Sequence, residues 1–243
     1  MSGQWMTVTL AGILLAAMMP QATPAAPGEL VGASGSTGRA SPQLVRAAAD
    51  RPALAPVTRR FDVDGDRRPD RVSVSQVRTD RYLLTVTTAR GAIVRVPVAS
   101  SFQRDWGQHP WIDQGGIDGV PGAEIVLAVS GGDGVSAVVL TWRGGKLANL
   151  AAPPSRGITS PSRRWYLLSD EARFAGYRFW TAGGQRKAAA GQFELQANGR
   201  WAGVLITSVW AANGWRTVET RAATVSPQVA QAYGGLHGVV PAR

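Results

Sequence analysis

Four carboxylates crowd into nine residues. Asp62, Asp64, Asp66 and Asp70 lie in the run Phe61-Asp62-Val63-Asp64-Gly65-Asp66-Arg67-Arg68-Pro69-Asp70. They occupy positions 1, 3, 5 and 9 of a loop in which alternate side chains can turn inward. Like charges held this close repel one another, so the spacing points to a hard cation at their centre. Calcium suits such a set, because it takes six to eight oxygen ligands at about 2.3–2.6 Å. The backbone carbonyl of Arg68, at position 7, would add one more oxygen. The expected metal set is therefore Asp62, Asp64, Asp66, Arg68 and Asp70, holding Ca2+. The alternative is a solvated acidic turn without metal.

An EF-hand loop requires Gly at position 6, a bidentate Glu at position 12, and a helix on either side. Here those positions hold Arg67 and Ser73. The following Arg71-Val72-Ser73-Val74-Ser75 alternates polar and apolar residues, the period of a strand. The loop-then-strand pattern resembles the FG-GAP/VCBS repeat of extracellular β-propellers, where D-x-D-G-D-G-x-x-D precedes a strand of a blade. The resemblance covers about residues 58–150 and implies blade-like β-structure with bound calcium. The chain departs from the pattern at Arg67, where the family usually has Gly. A left-handed backbone there would cost a non-Gly residue about 1 kcal/mol, which lowers the expected affinity without changing the ligands.

A weaker copy of the loop follows 54 residues later. Ile117-Asp118-Gly119-Val120-Pro121-Gly122-Ala123-Glu124 aligns with the segment from Val63 to Asp70, matching Asp64 to Asp118, Gly65 to Gly119 and Asp70 to Glu124. Gly116 and Val120 stand where Asp62 and Asp66 stood. The copy keeps the turn but not the ligands, so no metal is expected in it.

Other residue types that do chemistry are sparse. The two histidines, His109 and His237, are too few for a His-rich zinc site. His109 with Asp105, Asp113 and Ser130 could in principle form a triad, but no G-x-S-x-G elbow sets a nucleophile on a strand-to-helix turn. The segment from Asp105 to Asp113 reads as an irregular loop with Trp106 and Trp111 over the core. Gly131-Gly132-Asp133-Gly134 lacks the Lys-Ser/Thr of a phosphate loop. The chain has nine tryptophans. Most are expected in the core or in cross-strand pairs, and the alternative is a carbohydrate platform.

The elements that must position the loop are β-strands. Turn signals recur at Arg90-Gly91, Gly144-Gly145, Gly183-Gly184, Asn198-Gly199 and Asn213-Gly214. Asn-Gly pairs are the strongest of these, because both central residues of a type I′ turn need φ > 0. Between them lie Val-, Thr- and aromatic-rich segments at 82–88, 93–98, 124–129, 137–142, 177–181, 192–196, 201–210 and 215–221. The predicted fold class is all-β, built of antiparallel hairpins and meanders. It would form a partial or divergent β-propeller-like domain over residues 57–222, with a barrel or sandwich as the alternative. A closed propeller needs at least four blades, and the segment after Pro161 does not repeat the loop. The tail, 223–243, carries one short helix expected to start at Ser226-Pro227 and stop at Gly234, where Ser caps and Pro fits the first turn.

The N-terminal segment reads differently. Val8–Met19 is a short apolar run followed by small residues, the pattern of a signal peptide over residues 1–25, with an uncleaved anchor as the alternative. Residues 26–56 are rich in Ala, Gly, Ser and Pro. They have too little apolar surface to order themselves, apart from a short helix over 42–50. The expected location is secreted or envelope-associated. There are no cysteines, hence no disulfides or thiol chemistry. The net charge of +10 comes almost entirely from scattered arginines. That excludes no polyanion, but no zinc-finger, RNP or helix-turn-helix pattern accompanies it, so nucleic acid is not an expected partner. Expected partners are an extracellular glycan, a protein or a cell-wall polyanion, with no stable membrane span after signal cleavage. The function expected is a non-catalytic, calcium-stabilised binding module. The alternatives are an extracellular hydrolase of polysaccharide or peptide, and a purely structural exported protein.

Overall fold

The computed structural model describes residues 54–103, 107–155 and 165–241. The signal-peptide and 42–50 helix expectations and the linker up to residue 53 fall outside these residues, as do Asp105 and Trp106. The described part is all-β. Strands β1 (Val57–Phe61), β2 (Asp70–Arg78), β3 (Arg81–Thr87) and β4 (Ile93–Ala99) form one antiparallel meander in sequence order. A second meander follows: β5 (Trp111–Gly116), β6 (Glu124–Ser130), β7 (Val135–Arg143) and β8 (Lys146–Asn149). β5, β6 and β7 begin 54 residues after β1, β2 and β3, so the sequence repeat is a repeat of architecture. The carboxylate loop joins β1 to β2, and its weaker copy joins β5 to β6.

The third layer is a longer antiparallel meander of β9 (Trp165–Ser169), β10 (Arg173–Ala182), β11 (Gln185–Leu195), β12 (Trp201–Ala211) and β13 (Gly214–Val225). β9 is shared between layers: residues 165–167 pair with β7 and residues 168–169 with β10. Ser226 caps α1 (Pro227–Gln231), with Pro at the start of the helix. Two short strands close the structure. β14 (Leu236–His237) runs parallel beside β10, and β15 (Val240–Pro241) runs antiparallel beside β5. The sheets remain open and do not close into a barrel.

Burial explains the stacking. β2 and β3 bury alternate residues, Val72, Val74, Leu84 and Val86, on one face. That face meets Ile125 and Leu127 of β6 and Leu140 of β7. β6 is the central strand of the stack. Its next residue, Val126, points the other way and packs with Val139, Trp165, Tyr177 and Phe179. Its continuous apolar run Ile125-Val126-Leu127-Ala128 is what a strand buried on both faces requires. Fully burying each such side chain contributes about 1.5–3 kcal/mol. α1 and Tyr233 cover part of the third layer, over Phe193, Trp201 and Leu205.

Several sequence expectations are corrected. Residues 111–113, expected in an irregular loop, open strand β5, which runs on to Gly116 despite Gly115 and Gly116. Pairing on both sides, to β6 and β15, overrides the weak strand preference of those glycines. β1 and β9 carry no hairpin signal and are not among the expected strands, whereas β8 follows the expected Gly144-Gly145 turn. β13 continues past Arg221 to Val225. The expected Asn213-Gly214 turn is displaced by one residue: the two-residue loop is Ala212-Asn213, with Ala212 left-handed at φ 53°, and Gly214 opens β13. Cross-strand packing sets this register, because it places Trp210 opposite Trp215 with ring centroids 5.2 Å apart. At Asn198-Gly199 only Gly199 takes positive φ, in a turn closed by Gln196 and Arg200. No described helix is long and apolar enough to cross a membrane.

Candidate metal centre

The loop between β1 and β2 is held by its own carboxylates. Asp62 Oδ1 accepts the N–H groups of Gly65 at 2.7 Å and Asp66 at 3.1 Å, and Oδ2 accepts that of Arg67 at 2.8 Å. Asp64 Oδ1 accepts from Asp66 N–H, and Asp66 Oδ1 from Arg68 N–H. Gly65 is left-handed at φ 81°, and Arg67 takes φ 65°. Position 6 therefore adopts the left-handed backbone expected of it, at the cost an L side chain carries there.

Asp70 closes the loop from below. It is the first residue of β2 and fully buried. Its Oδ2 accepts from Val63 N–H at 2.7 Å and Asp64 N–H at 3.3 Å, while Oδ1 accepts from Ala89 N–H at 2.7 Å. The carboxylates of Asp62, Asp64 and Asp70 converge, with one oxygen of each within 4.8 Å of the others. Asp66 stands apart from that trio. Its Oδ2 is buried without a hydrogen-bond partner and lies 3.0 Å from Arg90 Nε. Arg68 is exposed and enters the geometry through its N–H. Partial burial and the carboxylates of Asp70, Asp66 and Asp62 push Asp64 above its ordinary value, against the Asp66 N–H it accepts. The donor set thus fits a hard cation. Three carboxylates meet at one point and one of them is destabilised as an anion, whereas Asp66 is neutralised by Arg90.

The second loop repeats this construction with different neutralisation. Glu124 opens β6 as Asp70 opens β2, and its Oε2 accepts from Ile117 N–H at 2.6 Å across the same seven residues. Its Oε1 accepts from the Thr141 hydroxyl at 2.8 Å. Gly119 is left-handed at φ 83°. Asp118, the counterpart of Asp64, is fully buried and forms an ion pair with Arg143 of β7. Arg186 of β11 donates through Nε to Ile117 O and through Nη2 to Gly116 O and Gly238 O. Two guanidinium groups therefore supply positive charge around a loop that lacks the counterparts of Asp62 and Asp66. Burial, and then the nearby Asp118 carboxylate, push Glu124 up to about 7. Burial raises Asp118 as well, opposed by Val120 N–H and Arg143.

The two loops are packed together. Ala123 N–H donates to Asp62 O at 2.8 Å. A Cβ on Gly65 would come within 2.8 Å of Pro121 O, and one on Gly122 within 2.4 Å of Val63 O. A groove of about 370 Å3 beside them, bordered by Asp62, Gly119, Pro121 and Arg186, leaves Asp62 accessible.

Among the described residues, no hydrogen bond joins His109, Asp113 and Ser130. His109 Nδ1 accepts from Trp111 N–H, and its ring packs edge-on against Tyr82. Asp113 accepts from Gln114 N–H. Burial, and then Arg59, lower the His109 value. Sequence reasoning found the first loop and its copy but missed Arg143 and Arg186, whose roles arise only from strand pairing and layer stacking. No family model matches the chain, and no curated protein or solved structure matches it.

Proposed function

We propose that this protein is a non-catalytic binding module, secreted or associated with the cell envelope, whose first repeat loop is clamped by calcium. The observation that carries the reading is the convergence of Asp62, Asp64 and Asp70 in a loop already shaped by its own N–H groups. Asp62, Asp64, Asp66 and Asp70 would hold the ion, together with the Arg68 carbonyl, and the ion would neutralise their charge. The residues themselves do the positioning. Asp70 ties the loop to β2 and to Ala89, and Asp62 folds the turn around Gly65. The low-affinity style implied by Arg67 suits extracellular calcium, which such modules bind at about 10⁻⁴–10⁻³ M. The secreted location rests on the apolar run Val8–Met19 and the small residues after it.

Thermal melting in calcium and in chelator tests the clamp. At 100 times its Kd a ligand stabilises a fold by about 2.7 kcal/mol, a rise of about 5–10 °C for a domain of this size. Asp64→Ala and Asp66→Ala abolish the calcium-dependent rise, whereas Asp118→Ala lowers the melting temperature but keeps it. Superimposable melting curves of the unsubstituted protein in calcium and chelator would refute the reading.

A further inference from the structure

The third layer carries an open, basic half-face. Directly opposed residues of antiparallel strands share a face, so the register Trp180↔Lys187↔Val209↔Arg216 lines up four residues across β10, β11, β12 and β13. The next row is Arg178↔Ala189↔Thr207↔Glu219, and Arg221 lies opposite Leu205 beyond it. A bulge sits in β13. Thr207 faces Glu219 and Ser208 faces Thr217, leaving Val218 as the extra residue. The bulge keeps Arg216, Glu219 and Arg221 on one face although their spacing is uneven. Bulge and charges together also blunt β13 as a pairing edge, which leaves the face as the contact surface.

The far half of this face is covered by α1 and Tyr233. In the near half Val209 is buried between Lys187 and Arg216, while Arg216 is exposed and Trp180 is 38 % exposed; Trp210 and Trp215 belong to the opposite, core-packed face beside Phe179. Four cations, Arg178, Lys187, Arg216 and Arg221, stand with one carboxylate, Glu219, which pairs with Arg221 at 3.4 Å. Among the described residues no carboxylate lies within ion-pair distance of Lys187 or Arg216. Arg178 borders the patch, its guanidinium 5.8 Å from the Tyr233 ring centre.

We propose that this half-face binds an acidic polysaccharide, an inference that rests on reading the protein as a binding module and names its partner class. The Trp180 indole offers a flat apolar surface on which a sugar ring stacks. Lys187, its cross-strand neighbour, meets a carboxylate on that sugar. Arg216 lies two strand spacings from Lys187, about 10 Å, and meets a second anionic group further along the chain. Glu219, on the same face, interrupts any continuous phosphate track, which disfavours a nucleic acid backbone.

Binding of the calcium-loaded protein to polygalacturonate, to uncharged dextran and to oligodeoxythymidylate, measured by calorimetry, tests the assignment. Polygalacturonate binds and dextran does not. Lys187→Glu with Arg216→Glu weakens polygalacturonate binding at least about tenfold, and Trp180→Ala weakens it several-fold with no change in charge. Arg71→Glu with Arg95→Glu, the same change of charge on exposed positions of the first meander, leaves affinity within about twofold. The assignment is overturned if both double variants weaken binding equally, if Trp180→Ala has no effect, or if oligodeoxythymidylate binds more tightly than polygalacturonate. Melting the same samples in calcium and chelator separates the two readings. Lost binding with an intact calcium response removes the half-face alone. Retained binding with no calcium response removes the calcium clamp alone.

Discussion

Asp70 and Glu124 occupy equivalent places, yet their amide isosteres should behave oppositely. Asp70 accepts three backbone N–H groups, two on Oδ2 and one on Oδ1. In Asp70→Asn the amide nitrogen must face either the Val63 and Asp64 donors or the Ala89 donor, whichever way the side chain is turned. At least one buried N–H loses its acceptor, at about 1–3 kcal/mol. The melting temperature should fall by about 2–12 °C, measured in chelator so that any bound cation plays no part. Glu124 accepts one N–H and one hydroxyl. In Glu124→Gln the carbonyl still accepts from Ile117, and the Thr141 hydroxyl rotates to accept from the new amide. The substitution also removes a titration. Glu124 is raised from an ordinary value of 4.5 to about 7, so its contribution to stability is fully present below pH 4.5 and is lost as pH rises through about 7. The loss amounts to about 3 kcal/mol. Asp118, raised in the same direction, keeps its own share. Urea denaturation from pH 4 to pH 8 should therefore show Glu124→Gln close to the unsubstituted protein at the acid end and more stable at the alkaline end. Equal destabilisation by both isosteres, or a Glu124→Gln difference independent of pH, would refute this account of the tethers.

Three further outcomes follow from the loops. Arg67→Gly relieves a left-handed side chain at φ 65° while keeping the N–H to Asp62, and should raise stability by about 1 kcal/mol in chemical denaturation. Gly122→Ala combines φ 104° with a Cβ 2.4 Å from Val63 O; it should cost about 3 kcal/mol or more and increase protease cleavage in the first loop. Arg143→Met leaves the buried Asp118 carboxylate without its ion-pair partner and should cost about 3–5 kcal/mol. Adding Asp118→Asn should recover much of that loss, and strict additivity in the double-mutant cycle would contradict the pairing.

The parts legible in the sequence were those encoded by near neighbours. The carboxylate spacing announced the first loop, and matching Asp64, Gly65 and Asp70 to Asp118, Gly119 and Glu124 gave the 54-residue offset at which β5, β6 and β7 recur. Hairpin glycines located most strands, because left-handed residues such as Gly144, Gly145, Gly183 and Gly184 have a local steric cause. What stayed hidden was set by partners far along the chain. Trp111–Gly116 becomes a strand because β6 and β15 flank it. Arg186 reaches Ile117 across 69 residues, and nothing near either residue signals the contact. The Asn213-Gly214 signal was local and real in kind, but the Trp210–Trp215 pair moved the turn by one residue.

The pairing of β15 with β5 has a consequence for the order in which the fold can be completed. Val240 lies opposite Gly116, so β5 is synthesised long before the strand that covers its outer edge. At about 5–20 residues per second on the ribosome, that edge waits roughly 6–25 s. Through this interval the first meander has all four of its strands, while the second still presents unpaired backbone groups at Gly115 and Gly116. Nascent chains would be most exposed to mispairing and to chaperone capture there, and the vulnerability ends only when Val240 and Pro241 emerge.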